Sequence, residues 1–311
     1  MPSTSLVACC NTPVQAVLLL HEAPWSRFRT SLKNRRRRAE RTDNYREMDK
    51  VGRYLDMAEP CHCDFSHRLF MGHLGNHMLN AADFHSRDRG FGMDYLNSIN
   101  KTWVLSRLAI EMDEMPLQYE KFYVETWVES AMRYFTNRNF RVVAATDDST
   151  PVTQLPSPKV YGYGRSIWAM IDTETRQPCN LLEVNNGSIL EYVEKEKENP
   201  MAKLSRVKMD ENAELVRTIE TNYCDVDING HINSVKYIEH VLDLFSLEWY
   251  KEHMLKRFDI AYVAESHGGD KLSFYREADE EDELAFKIRI TKLPADGGEE
   301  TEVCRSKVKF V

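Results

Sequence analysis

The sequence predicts an α+β protein built from two tandem units, each with antiparallel strands and one long helix. Three observations carry this. From residue 61 the chain reads twice through one order, a short strand, a helix and four strands. Apolar residues recur at helical spacing at two corresponding places, Met71-Leu74-Met78 and Ile232-Val235-Ile238-Val241. At 311 residues the chain is long enough to bury about three quarters of its unfolded surface, as one large domain or two small ones.

The elements follow in order. Residues 1–47 lack the periodicity of the rest and carry nine Lys/Arg against four Asp/Glu, including the run Arg35-Arg36-Arg37-Arg38. The apolar run Val14–Leu20 is too short to span a bilayer, and the arginines stand on the wrong side for a secretory signal. A transit segment and a basic interaction arm are open readings. The favoured one is a non-globular extension from a misassigned start, with Met48 opening the globular sequence. The first unit is expected over 61–172. His67–Phe70 is its first strand, Gly72-His73 leads a helix to Arg87, and strands follow at 102–110, 119–130, 134–145 and 160–172. Residues 146–158, rich in Asp, Ser, Thr and Pro, read as a long mobile hairpin loop. Residues 173–212 read as a solvated linker with room for one helix. The second unit, 213–311, gives a strand at 215–223, Gly230-His231, a helix to Tyr250, and strands at 258–265, 270–277, 283–292 and 301–310. The two Gly-His pairs, at 72–73 and 230–231, are taken as equivalent points. Trp103, Trp127 and Trp168 fall on strands, where packing is their default role.

Composition narrows the function classes. Hydrophobic residues make up 42% and charged residues 29%, as in ordinary globular chains. The net charge of −8 leaves an acidic body after the basic first segment, which argues against nucleic-acid binding. No uncharged apolar stretch reaches membrane-spanning length, so no membrane association is expected. Seven cysteines, with no Cys-x-x-Cys pair, argue against zinc and against a disulfide framework. They fit free thiols in a reducing compartment, which places the chain in the cytoplasm. No metal and no cofactor is expected.

The densest chemistry lies in Asp225-Val226-Asp227-Ile228-Asn229-Gly230-His231-Ile232-Asn233. Polar residues at 225, 227 and 229 alternate with Val226 and Ile228, as at the end of a strand, and Gly230 permits a sharp turn. Asn229 and His231 then sit at or just before a helix N-terminus, where unpaired N–H groups and the dipole favour a developing oxyanion. Ordinary helix capping explains the same residues.

The stretch Asp225, Asp227, Asn229, His231, Asn233, Lys236, Tyr237, Ile238 resembles the acyl-ACP thioesterase family without departure. Tyr262 and Glu265 resemble a second family segment, whose frequent Cys is Ser266 here. Thr102–Arg107, Glu125–Val128 and Trp168–Arg176 are similar to three further segments. The matches run in family order between about residues 61 and 311 and look closer to bacterial than to plastid members. The resemblance implies a tandem hot-dog fold, an antiparallel sheet wrapped around a long helix in each half. It implies hydrolysis of the thioester of a fatty acyl group on acyl carrier protein. It carries over Asp227, Asn229, His231 and Glu265 as the catalytic set. Glu265 is assigned as general base toward water, its pKa raised by burial. His231 orients that water or protonates the thiolate, Asn229 donates, and Asp227 fixes Asn229 or His231. Serine at 266 tells against a covalent thiol mechanism, and Cys224 is read as a small core residue. The first half, with Gly72-His73 and Asn76-His77 as scaffold, is expected to shape the acyl tunnel through Met71, Leu74, Met78, Leu79 and Phe84; a plain core face explains these five equally well. Arg133, Arg138 and Arg141 are candidates for a basic patch toward the acidic carrier. An acyl-CoA thioesterase and a non-catalytic acyl-binding regulator remain the alternatives, with a hot-dog dehydratase ranked below them. Pairing of the two halves within one chain and a homodimer are both open.

Overall fold

The computed structural model describes residues 49–145, 158–204, 206–209, 213–295 and 297–311. Residues 1–48, and all of the expected loop at 146–158 but its last residue, lie outside the described residues. The elements are β1 Gly52–Met57, α1 Met71–Asp88, α2 Met93–Asn97, β2 Lys101–Met112, β3 Lys121–Ala131, β4 Phe135–Ala144 and β5 Val160–Asp172. They continue with β6 Glu214–Glu220, α3 Ser234–Leu242, α4 Leu247–Glu252, β7 Leu255–Tyr262, β8 Lys271–Ala278, β9 Ala285–Leu293 and β10 Thr301–Phe310.

Among the described residues these strands make one ten-stranded sheet in the order β1-β3-β4-β5-β2-β7-β10-β9-β8-β6. Every pairing is antiparallel. Read outward from the β2–β7 junction, the order is palindromic. Each half is five strands with its second strand at the seam, so the tandem hot-dog expectation holds. The seam runs from Arg107 opposite Ala261 to Glu111 opposite Arg257. Leu108, Ile110, Phe258 and Ile260 are buried along it. One apolar core runs through both halves as a result.

The central helices α1 and α3 meet at two glycines. A Cβ on Gly72 would lie 2.8 Å from Glu239 Cγ, and one on Gly75 would lie 3.5 Å from Ile238 Cδ1. Absence of side chains there lets the helix axes approach.

Four expectations need correction. The first strand is Gly52–Met57, ahead of residue 61, and 67–70 makes only single bridges, Cys63 to Leu69 and Arg68 to Leu117. The second helix does not run unbroken to Tyr250. It ends at Leu242, and Ser246 Oγ accepts the Trp249 N–H at 3.2 Å to start α4. The linker is not solvated throughout: 3₁₀ turns within Leu181–Tyr192, parted by a kink at Val184–Gly187, bring Leu181, Val184 and Ile189 into a second apolar cluster with Phe91, Leu96 and Met170.

The fourth correction concerns the repeat itself. Gly72-His73 lie inside the first turn of α1, whereas Gly230-His231 lie in the loop before α3. The true counterparts stand 163 positions apart. Short 3₁₀ turns at Pro60–His62 and Tyr223–Asp225, bridges Cys63–Leu69 and Val226–Ile232, and helix starts at Met71 and Ser234 all share that offset.

Candidate active site

The loop 226–232 is held by one carboxylate. Asp227 Oδ1 accepts the N–H groups of Asn229 at 2.8 Å and His231 at 3.3 Å. Asp227 N–H donates to His231 O at 2.8 Å, and Gly230 N–H to Asp227 O at 3.1 Å. Gly230 has φ of +82°, a left-handed conformation that suits glycine. Residues 225–229 therefore form a turn and a stapled loop rather than the strand end the alternation suggests. The staple wins because an aspartate that takes N–H groups two and four residues on replaces ladder partners. Beyond it, Asn233 Oδ1 accepts Val235 N–H at 3.0 Å and caps α3.

Ile232 N–H donates to Ser266 O at 2.8 Å and ties this loop to the segment after β7 that carries Glu265. His231 Nε2 stands 3.5 Å from Glu265 Oε2. Arg176, from the turn after β5, holds Oε1 of the same carboxylate. Lys292 Nζ donates to the Glu265 carbonyl at 2.5 Å. The His231 ring meets His267 edge-on, with centroids 5.2 Å apart. Asn229 Nδ2 lies 3.4 Å from Asp227 Oδ2. The four expected residues therefore converge. The Glu265 side chain is 38% exposed, so the expected burial is absent; two partners, rather than desolvation, define its surroundings.

The first half contains the same loop without those side chains. Asp64 Oδ1 accepts Ser66 N–H at 2.8 Å and Arg68 N–H at 3.0 Å, and Asp64 N–H donates to Arg68 O at 2.7 Å. His67, with φ of +61°, stands where Gly230 does. Leu69 N–H donates to Pro116 O at 2.9 Å, as Ile232 does to Ser266. Asp64, Ser66, Arg68 and Met115 thus replace Asp227, Asn229, His231 and Glu265. The staple is common to both copies; the amide, imidazole and carboxylate belong to the second alone. Gly72-His73 and Asn76-His77 are not its counterparts. His73 stacks on His62 at 4.0 Å, with its pKa lowered chiefly by burial, and His77 pairs with Asp56 at 3.1 Å.

Asp227, Asn229, His231, Glu265 and Arg176 line a cleft of about 1330 Å³ that continues into the first half. Its walls there are Leu79, Ala82, Asp83 and Ser86 of α1, with Trp103, Leu105 and Trp168 from the sheet. Of the five expected tunnel residues, only Leu79 lines it. Met71, Leu74 and Met78 are core residues, and Phe84 is exposed beside Tyr54. The reason is rotational: at about 100° per residue, 79, 82, 83 and 86 form a stripe roughly a quarter-turn from 71, 74 and 78, and 84 faces away from both.

The cleft also meets buried polar groups. Arg138 donates to Ser86 Oγ at 2.9 Å and Thr126 Oγ1 at 3.1 Å, and burial, then Arg89, pushes its pKa down to about 9. Burial raises the Asp83 carboxyl. Arg138 is therefore no part of a surface basic patch. Arg141 lies 2.8 Å from Glu125, and Arg133 stacks over Tyr134. Cys224, expected in the core, is exposed at the cleft, whereas Ser266 is fully buried and outside the lining. Trp127 is buried as expected, while Trp103 and Trp168 face the cleft. Among the described residues no group of three or more His, Cys, Asp or Glu could hold a metal ion, and no helix is long and apolar enough to cross a membrane. Arg176 is the residue that sequence reasoning missed. It closes the segment Trp168–Arg176, but 89 positions separate it from Glu265, and a lone arginine in a turn ordinarily faces water.

Residues 59–185 match the family profile described as acyl-ACP thioesterase N-terminal domain, and residues 208–309 that of the acyl-ACP thioesterase C-terminal domain. The fold is similar to an acyl-ACP thioesterase from Bacteroides thetaiotaomicron, with TM-score 0.73 and 50% identity over 84% of this chain and 98% of that one. It is also similar to the 12:0-ACP thioesterase from Umbellularia californica, with TM-score 0.68 over 85% and 98% of the two chains, where 18% identity speaks for the fold alone. A chloroplastic palmitoyl-acyl carrier protein thioesterase of Gossypium hirsutum is 26% identical over 202 residues, 62% of this chain and 46% of that protein. A chloroplastic oleoyl-acyl carrier protein thioesterase of Coriandrum sativum is 23% identical over 257 residues, 76% and 65% respectively. The chain matches about half to two thirds of the length of these curated relatives.

Proposed function

The chain belongs to the acyl-ACP thioesterase family, and on that premise we propose that it hydrolyses the thioester between a fatty acyl group and acyl carrier protein, releasing the free fatty acid. The observation that carries this reading is the His231–Glu265 pair, 3.5 Å apart on a cleft that runs into the first half. The stapled loop of the first half lacks both groups, so their presence in the second is not a requirement of the fold.

In this reading Glu265 takes a proton from water as the water oxygen bonds to the thioester carbon. The carbonyl electron pair moves onto oxygen, and the Asn229 amide with the positive end of α3 receives that charge. Collapse breaks the C–S bond, and the proton returns from Glu265 by way of His231 to the departing thiolate. Asp227 acts on the backbone and sets where Asn229 and His231 stand. The acyl chain occupies the part of the cleft between α1 and the sheet, against Leu79, Trp103, Leu105 and Trp168.

The test is steady-state hydrolysis of palmitoyl-ACP, octanoyl-ACP and the matching CoA esters by the purified chain. Preference for a carrier ester is expected, and Glu265→Gln is expected to lower kcat by about 10³-fold or more, the upper part of the range for removing a general base, with folding retained. Faster CoA turnover would move the substrate to acyl-CoA. Hydrolysis of no ester would make this an acyl-binding protein, and normal turnover in Glu265→Gln would remove that residue from the mechanism.

A further inference from the structure

The second oxygen of Glu265 is held from the other half of the molecule. Arg176 lies in the turn that follows β5, and Asp172 closes that turn. Its Oδ1 accepts the N–H groups of Glu174 at 3.0 Å and Thr175 at 2.8 Å and the Thr175 hydroxyl at 3.1 Å. Arg176 N–H donates to Asp172 O at 3.0 Å, and Asp172 N–H donates to Gln177 O at 2.9 Å. The chain then returns along β5, with Ile171 bridged to Pro178 and Cys179 N–H on Met170 O at 2.8 Å. Within this bracket Arg176 has φ of +60°, a backbone conformation that L residues other than Asn and Asp rarely adopt. The turn projects across the β2–β7 seam, and the guanidinium meets Glu265 Oε1 while His231 faces Oε2. Both partners line the cleft.

The buried Tyr237 hydroxyl lies near enough to feel Glu265, and the other charged and titratable groups around this carboxylate are few. His231 and Arg176 face its oxygens, and Lys292 reaches its backbone carbonyl and stands 4.0 Å from Asp270. His267 touches the His231 ring, and Asp227 holds the His231 N–H. Glu174, in the Arg176 turn, accepts from Asn100. Arg176 is thus the one cation among the described residues seen to pair with the Glu265 side chain other than histidine.

We propose that Arg176 is a positioning residue for hydrolysis: by holding one oxygen of Glu265 it aims the other oxygen at His231 and the cleft. The site then depends on both halves, and a residue outside the Asp227–His231 loop belongs to its machinery. This inference rests on Glu265 acting as the base.

The experiment is steady-state kinetics with octanoyl-ACP, kcat and KM read separately, for the full chain and for Arg176→Gln, Arg176→Lys and Glu265→Gln. Arg176→Gln is expected to lower kcat about tenfold, since misplacing a reacting group by about 1 Å costs up to about 10²-fold. KM is expected to change less than kcat, and Arg176→Lys to recover most of the loss. For wild type, raising NaCl from 0.05 to 0.5 M screens an exposed pair and is expected to lower kcat in the same direction; this reading needs no variant to fold. Unchanged kcat in Arg176→Gln, with Glu265→Gln inactive, would overturn the proposal and leave the base assignment standing. A raised KM with unchanged kcat would overturn it in favour of substrate binding. Normal turnover in Glu265→Gln would overturn the base assignment and this proposal together.

Discussion

Asp227 and Asp64 perform one backbone task in two loops, and a matched pair of substitutions separates folding from catalysis. Asp227→Ala frees the N–H groups of Asn229 and His231, so both side chains lose their fixed positions. Displacement of this kind costs about 10²-fold in rate, and kcat is expected to fall by that order while stability falls by about 1 kcal/mol. Asp64→Ala removes the same staple, plus the 3.2 Å bond from Arg68 Nε, in the loop that lacks the amide and the imidazole. Its expected loss of stability is of similar size, about 1 kcal/mol, but kcat is retained. Equal losses of activity in both variants would mean that the loops act through folding alone. Ser266→Ala is expected to be silent in kcat and to change stability by no more than about 1 kcal/mol. Its hydroxyl is wholly buried against the Tyr237 hydroxyl and lies off the cleft; a large loss of kcat would revive a direct role for it.

At the scale of elements, α1 has two working faces. One packs on the sheet and α3, and the adjacent stripe of Leu79, Ala82, Asp83 and Ser86 walls the cleft. The glycines differ in how much they constrain the packing. A Cβ at Gly75 would meet Ile238, Val235 and Ile110 at 3.5 to 3.8 Å, ordinary contact distances. Gly75→Ala removes helix-interior backbone freedom without a clash and is expected to stabilise by about 0.5–1 kcal/mol, read from urea midpoints at unchanged m. A Cβ at Gly162 would instead lie 2.4 Å from the Glu111 carbonyl, where backbone would have to move. Gly75→Ala destabilising the chain would show that the α1–α3 contact is tighter than its distances allow.

For the molecule as a whole, the β2–β7 seam makes two hot-dog halves one structure. Arg257 crosses it, donating to Asp259 through Nε at 2.6 Å and Nη2 at 2.8 Å, and to Glu111 through Nη1 at 2.7 Å. Arg257→Met would leave two carboxylates facing each other at a mostly buried junction. Removing one partner of a buried pair is strongly destabilising, and with partial exposure a loss of about 2–4 kcal/mol is expected. Because core and sheet are continuous through the seam, the variant should unfold in one calorimetric transition at lower temperature. Two separated transitions would show that the halves are independent units. The seam also explains where the site stands, since the strand end leading to Glu265 and the turn carrying Arg176 flank it.

Local chemistry was enough for the sequence to determine the strands from β2 to β10, the long helix α1 and the start of α3, and the Asp227–His231 stretch as the candidate site. Alternation, helical spacing and a dense polar motif are short-range properties that survive without knowledge of partners. Matching Gly-His letters give the wrong repeat register. What actually repeats is a hydrogen-bond staple, which fixes the backbone through one aspartate and leaves the residues between free to vary, so that His67 stands in for Gly230. Which stripe of α1 faces the cleft depends on how the helix lies against a twisted sheet, and spacing alone cannot distinguish two faces a quarter-turn apart. The pairing of Arg176 with Glu265 is a contact across a seam between strands remote in sequence; only the tertiary structure brings those charges together.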